Sequence, residues 1–520
     1  MKNKFIYLAV LAAMGFASCE PEFENEINNG SYSAGEADFS SYVAIGNSLT
    51  AGYMDGTVSR VGQTYSYPNI LAQQFAIVGG GAFTQPSYAE DVNNLGGIAG
   101  LPGFNTRLVI DATAGGPEPI AGVSTVTLTP QATAYNNMGV PGAKSFHLLA
   151  PGYGNAAGVP LGLANPFFAR HATSPTATVL GDAMSKNPTF FTNWIGNNDV
   201  LAYAISGGTG VNQMGNMDPS TYGSNDITDP TVFAGVYSTI INTLTANGAK
   251  GVVATIPDVT AIPFFTTVPY NPLNATVIGG GNTEAGVAAI NQVNTLYGPI
   301  NQILTALGQP NRIKPFSTTG PNPLLIKDES LTNLSAQLTG ALTAGGFPPA
   351  QAAAIGQIYG QARQATASDL VLLTTRSVIG TAPAGVPAPL DKYGITFPLQ
   401  DQHILIPAEI AELGDATESF NNSIKAIAAS KGLAVADMNV IMNRLISGLR
   451  VEDGQIYTAD YFSTSALSTV LFSLDGIHPN ARGYAVVANE ILKVINSHYG
   501  AKLPLVSAGN YPGATVLVTN

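Results

Sequence analysis

The sequence predicts an α/β fold: a doubly wound parallel sheet of about five strands, elaborated by large loop and helical insertions. Three observations carry this. Short, near-continuous apolar runs of the kind that suit buried parallel strands recur along the chain, helical periodicity separates them, and the intervals between them are uneven. Strand and helix in alternation place helices on the faces of a sheet, and ligands then sit beyond the carboxyl ends of its strands.

The first run is Tyr42-Val43-Ala44-Ile45, ending in Gly46, and a second lies near Ala134 to Met138. The third extends from Thr189 to Ile195, the fourth from Gly251 to Ile256 and the fifth from Leu433 to Met438. Val232 to Ala246 has helical character before the fourth strand, as does Ala408 to Lys431 before the fifth. Tyr484, Val487, Ala488, Ile491, Val494 and Ile495 form one face of a helix near the C-terminus.

The stretch from Pro257 to Gly432 is far longer than one crossover needs. Part is Pro/Gly-rich loop, whereas Leu331 to Leu342 and Ala350 to Arg363 are Ala/Leu/Gln-rich helical segments, and no charged residue lies between Ser330 and Ala362. This insertion reads as a cap or lid over the sheet edge, or as a structural helical pair that never meets substrate. The expected organisation is one domain over residues 40–500, with insertions at about 78–130 and 264–398 and a tail over 501–520.

Composition narrows the function. Only 10% of the 520 residues are charged, while 57 Gly and 34 Pro make the chain loop-rich and 45% hydrophobic content supplies a core. A net charge of -12 without a Lys/Arg cluster argues against a nucleic-acid partner, because phosphate neutralisation needs a basic stripe. Cys19 is the single cysteine, so no disulfide, CxxC centre or Cys-based zinc site forms within one chain.

Residues 1–19 read MKNKFIYLAVLAAMGFASC: a basic start, a short apolar run, then mostly small residues. The run is too short to span a bilayer but suits a signal peptide over 1–18. The segment resembles a bacterial lipoprotein signal, in which the Cys is lipidated and becomes the mature N-terminus; Phe16 stands where Leu is usual. The alternative is an ordinary secretory signal with an unused thiol at Cys19. Residues 20–39, acidic and then Gly/Ser-rich, read as a solvated tether. The expected location is the cell envelope, at the outer membrane or surface of a Gram-negative bacterium, held by the lipid on Cys19.

Four strand-end segments carry chemistry. After the first strand, Gly46-Asn47-Ser48-Leu49 sets a Ser in a strand-to-helix turn, where a helix N-terminus favours developing negative charge. By itself this Ser is more readily an N-cap than a nucleophile. Asp475-Gly476-Ile477-His478 supplies from one loop a base and the carboxylate that orients it, as a hydroxyl nucleophile requires. Gly196-Asn197-Asn198-Asp199 after the third strand offers an amide donor, and Asn137-Met138-Gly139-Val140-Pro141-Gly142 offers a glycine N–H, both suited to an oxyanion.

In this order, the four segments resemble the blocks of the SGNH, or GDSL, hydrolase family. Asn47 stands where that family has Asp, and Gly142 is taken for the block glycine on its distance from Asn137. The resemblance implies a three-layer α/β/α, flavodoxin-like sheet and a catalytic triad of Ser48, His478 and Asp475. It also implies an oxyanion hole from Ser48, Gly142 and Asn198, with no cofactor and no metal. It covers the core strands and their loops but not the two insertions.

The function expected is that of an exported, membrane-anchored serine ester hydrolase, lipase- or acylesterase-like, acting through an acyl-enzyme. Alternatives are a carbohydrate O-acetylesterase of the same family, or a non-catalytic glycan- or lipid-binding surface protein on a retired scaffold. Phe190, Phe191, Trp194, Phe264 and Phe265 lie near the expected mouth of the site and lean towards an acyl chain or another apolar ester, although strand-end aromatics are more usually core; an O-acetylated glycan would also suit an exported esterase.

Overall fold

The computed structural model describes residues 32–113, 116–452, 454–463 and 467–520; the signal segment and Cys19 lie outside them. In chain order the elements that build the site are β1 (Tyr42–Gly46), α1 (Ser48–Ala51), α2 (Tyr67–Ile77), β2 (Asn137–Gly139), β3 (Phe190–Trp194), α3 (Asn198–Ile205), α4 (Pro230–Thr245) and β4 (Lys250–Ala254). They continue with α5 (Thr283–Ala306), α6 (Ser335–Ala344), α7 (Pro349–Tyr359), α8 (Pro407–Ser430), β5 (Ala434–Ala436), α9 (Met438–Ile446) and α10 (Ala481–Tyr499).

The five strands form one parallel sheet in the order β2-β1-β3-β4-β5. Ala44 of β1 lies opposite Asn137 on one side and Thr192 on the other. Every residue of β1 and β3 is buried, as a sheet covered on both faces demands. The pleat of β3 sorts its side chains between two helical layers. Phe190 meets Phe75 of α2 and Tyr499 of α10 at ring-centroid distances of 5.7 and 5.8 Å, and Trp194 meets Tyr67 of α2 at 5.7 Å. Asn193 points the other way, beside Tyr237 of α4. On that side Phe233 of α4 stacks on Phe420 of α8 at 4.2 Å. The molecule is therefore α/β with a central parallel sheet and helices on both faces, compatible with three α/β/α layers.

Local sequence explains the helix starts. The Asp229 carboxylate accepts the N–H groups of Thr231 and Val232 ahead of Pro230 at the first position of α4. Asn480 caps α10 by accepting from Gly483. α5 was not anticipated from sequence: Pro299 and Gly298 interrupt it, yet Ile290, Val293, Tyr297, Ile300 and Leu304 keep a continuous buried stripe.

The long stretch after β4 builds a second hydrophobic core of its own, centred on Tyr297, Leu325, Leu338, Ile355 and Tyr359. Two short antiparallel pairs, 325–327 with 362–364 and 370–371 with 404–405, tie it together. Arg363 adds ion pairs to Asp328 and Asp369 at 2.5 and 2.6 Å. The uncharged helices α6 and α7 pack their apolar faces into this core, which explains their composition without invoking substrate.

The terminal segments are more closely packed than expected. Ala37 and Phe39 are buried, Phe39 stacks on Phe75 at 4.0 Å, and Ser33 bridges Lys502, so the tether expected to reach residue 39 is already packed from about residue 33. In the tail, 516–517 pair in parallel with 108–111, whose other edge carries 116–119. The first insertion and the C-terminal tail thereby share a small sheet. Among the described residues no helix is long and apolar enough to cross a membrane.

Candidate active site

In the order β2-β1-β3-β4-β5, the chain runs from β1 outward to β2 and then returns past β1 to β3 on its other side, so the direction of winding reverses beside β1. A crevice opens at the carboxyl ends of β1 and β3. Ser48 follows β1 there. Asn47 is the N-cap of α1, its side chain accepting the Leu49 N–H at 3.1 Å, so Ser48 is the first helical residue and its hydroxyl is not spent on capping. An aspartate at 47 would offer the same acceptor. Since α1 is a single turn, its dipole is slight, so the helix N-terminus expected to favour negative charge offers little there.

His478 reaches Ser48 from 430 residues away: Nε2 lies 2.8 Å from Ser48 Oγ, and Nδ1 lies 2.9 Å from Asp475 Oδ2. Asp475 is held by its own turn, with Oδ1 accepting the N–H groups of Ile477 at 2.8 Å and His478 at 2.9 Å. Ser473 Oγ donates to the same oxygen at 3.0 Å, and Gly56 N–H donates to Oδ2 at 3.1 Å. Burial would push this carboxyl up. The His478 charge, the hydrogen bond from its ring and the backbone donors outweigh burial and hold it below its ordinary value. A carboxylate that stays ionised fixes the proton on Nδ1 and leaves the Nε2 lone pair facing Ser48.

The loop after α1 encloses this pair, and nothing in the sequence singled it out. The Tyr53 ring packs 4.6 Å from the His478 ring, and its hydroxyl donates to Gly56 O at 2.5 Å. Asp55, in a left-handed conformation at φ 53°, accepts from Leu474 N at 3.0 Å and donates its own N–H to Ser473 Oγ at 3.0 Å. Burial first, then the nearby Asp475 charge, raises the Asp55 carboxyl to about 6 against the pull of the Leu474 N–H and Arg107. Proximity to Ser48 was the signal available, since Tyr53 and Asp55 lie within two turns of it.

Asn198 and Asp199 open α3 at the end of β3. Asn198 Nδ2 donates to Ala143 O at 2.9 Å, which uses one of its two amide hydrogens, while Asp199 accepts from Ser145 N at 2.8 Å and Ser145 Oγ at 2.7 Å. Together they clamp the 140–145 loop, whose Gly142 sits exposed at φ 80°. Neither Ser48 N–H nor Gly142 N–H donates to an acceptor among the described residues. Gly139, the other glycine of that segment, serves packing: a Cβ there would lie 2.3 Å from Ala51 N.

Of the aromatic residues expected at the mouth, Phe190 and Phe191 are wholly in the core, and Phe264 and Phe265 are buried beside the triad loop, Phe264 N donating to Gly476 O. Trp194 alone of the five lines the cleft, its Nε1 donating to Thr255 O at 3.1 Å. The cleft runs from Ser48, His478, Asn197 and Asn198 to an apolar wall that α9 and α10 share with Val259, Ile262, Leu471 and Phe472, and to which α6 and α7 contribute nothing. Of the stretch from Pro257 to Gly432, only Pro257, Val259 and Ile262 line it; the insertion expected as a cap over 264–398 contributes none, and its helices α6 and α7 pack into the second core instead.

The other histidines do separate work. Burial pushes His147 down to about 4, with Lys144 adding to it, and His171 down to about 3, with Arg170 adding to it. Among the described residues no group of three or more His, Cys, Asp or Glu is placed to hold a metal ion. Comparison with protein-family models, with curated proteins and with solved structures finds no match to this chain.

Proposed function

We propose that the chain is a serine ester hydrolase of the SGNH type, its triad mounted on a three-layer, flavodoxin-like sheet. The observation that carries this is the continuous path Ser48–His478–Asp475, at 2.8 and 2.9 Å, assembled from the two ends of the chain. A hydroxyl, an imidazole with the correct nitrogen free and an ionised carboxylate are what nucleophilic ester cleavage needs.

Ser48 Oγ attacks the ester carbonyl as its proton passes to His478 Nε2. Asp475 keeps Nδ1 protonated and stabilises the imidazolium. The oxyanion takes hydrogen bonds from the N–H groups of Ser48 and Gly142 and from the second amide hydrogen of Asn198. The alkoxide leaves with the proton from Nε2, and water, deprotonated by the same nitrogen, releases the acid and restores Ser48.

Cys19 as the lipidated residue, and envelope anchoring through it, belong to the same proposal and rest on the signal-like sequence. The test is turnover of a soluble acetate ester: Ser48→Ala should lower kcat by on the order of 10⁶. Hydrolysis by Ser48→Ala at the wild-type rate would leave a binding protein on a retired scaffold as the better reading.

A further inference from the structure

The cleft beside Ser48 is polar at one end and apolar at the other. At the serine end, Asn47 Nδ2 and both polar atoms of the Asn197 side chain are buried and make no hydrogen bond to the protein. Buried amides in that condition cost free energy until something pairs with them. Away from the serine, the wall is α9, whose Met438, Ile441, Met442 and Leu445 recur at i, i+3, i+4 and i+7 and face the cleft opposite Val486 and Val487 of α10. Asn439, Val440 and Asn443 lie on the other side of α9, lining a separate polar hollow.

We propose that α9 is the chain-length determinant of this site: one arm of the ester is an aliphatic chain laid between the Met438–Leu445 face of α9 and the valines of α10. The ester's polar end then meets the amides beside Ser48. This rests on the hydrolase reading above. The Met438–Leu445 face covers about two helical turns, roughly 10 Å at 1.5 Å per residue, so an acetyl group alone would leave most of the wall uncovered. The two methionines suit such a chain, because an unbranched thioether side chain adapts to an occupant without fixed shape. The chain enters either as the acyl group or as the alkyl part of the alcohol; the shared chemistry is the aliphatic arm.

The experiment uses the purified chain and two ester series below their aggregation limits: acyl groups from acetyl to octanoyl on one alcohol, and acetates of alcohols from ethyl to octyl. In at least one series kcat/KM should climb by about fourfold per methylene until the cleft is filled. A climb in the acyl series assigns the acyl arm to the cleft, and a climb in the alcohol series assigns the leaving arm. Ile441→Trp should lower the ratio of octyl- or octanoyl- to acetate-type kcat/KM at least tenfold, whereas Asn443→Ala, on the far side of α9, should leave that ratio unchanged. If Ile441→Trp does not fold, Leu445→Ala should move the optimum to a longer chain. Acetate hydrolysis with both series flat or falling overturns the proposal and leaves the hydrolase reading standing. So does a chain-length profile that neither α9 variant moves. No hydrolysis of any ester overturns both.

Discussion

Replacing Asp475 by Asn tests the triad at the point where the structure makes the sharpest demand. The Asp475 carboxylate accepts five hydrogen bonds: Oδ1 from Ile477 N, His478 N and Ser473 Oγ, and Oδ2 from His478 Nδ1 and Gly56 N. Asparagine is nearly the same shape, but only one of its two terminal atoms accepts. If its oxygen keeps the three donors at the Oδ1 position, its NH₂ faces two further donors. His478 then relieves the clash by moving its proton to Nε2, and that nitrogen no longer accepts from Ser48. Loss of the correct tautomer is worth about 10⁴ in kcat, or ~5.4 kcal/mol at 1.36 kcal/mol per decade. Gly56 N–H is left unpaired as well, which should lower unfolding free energy by roughly 1–3 kcal/mol. Initial rates on a soluble acetate ester, with urea unfolding of the same preparation, read both effects. A folded Asp475→Asn with kcat within tenfold of wild type would refute the claim that Asp475 sets the tautomer of His478.

The remaining predictions concern the shell around that pair. The folded Asp55 carboxyl, raised to about 6 from 3.8, favours the fold when protonated; its contribution is full below pH 3.8 and is lost as pH rises through 6. Asp55→Asn keeps an acceptor for Leu474 N–H, so urea unfolding should show it more stable than wild type by ~3 kcal/mol at pH 8 and nearly equal at pH 4, and equal differences at both would contradict the assignment. Asn198→Ala should lower kcat by about 10² to 10³ and, because Ala143 O loses its donor, also destabilise the fold by about 1–3 kcal/mol; an unchanged kcat would remove Asn198 from the oxyanion hole. Gly139→Ala should depress Tm more than Gly142→Ala. At 139 the new Cβ meets backbone at 2.3 Å, whereas at 142 there is room and only the left-handed φ costs about 1–2 kcal/mol, so the opposite ranking would refute the packing role of Gly139.

What could be foreseen from sequence follows a physical division. The parallel strands were legible because both of their faces are buried, so Tyr42–Gly46 and Lys250–Ala254 read as apolar runs whatever surrounds them. Ser48 and Asn198 drew notice because they follow strands, and Asp475 and His478 because they share the loop before α10; the structure brings Ser48, Asp475 and His478 within hydrogen-bond reach of one another. The apolar wall of the cleft was not legible. Met438, Ile441, Met442 and Leu445 share a helical face, but a face lining a cleft and a face packed on a core have the same periodicity. The uncharged stretch through α6 and α7 drew attention for the opposite reason: its low polarity belongs to a second core, and none of its residues lines the cleft. Tyr53 and Asp55 escaped notice because their roles depend on meeting residues 473–478, a contact that local sequence does not express.

Peptide mapping of the protein after reaction with a fluorophosphonate tests the central claim most directly. A serine activated by His478 should carry one stoichiometric adduct on the peptide containing Ser48, formed rapidly by wild type and not at all by His478→Ala. An adduct on any other residue, or none on the folded wild-type protein, would contradict the assignment of Ser48 as the nucleophile.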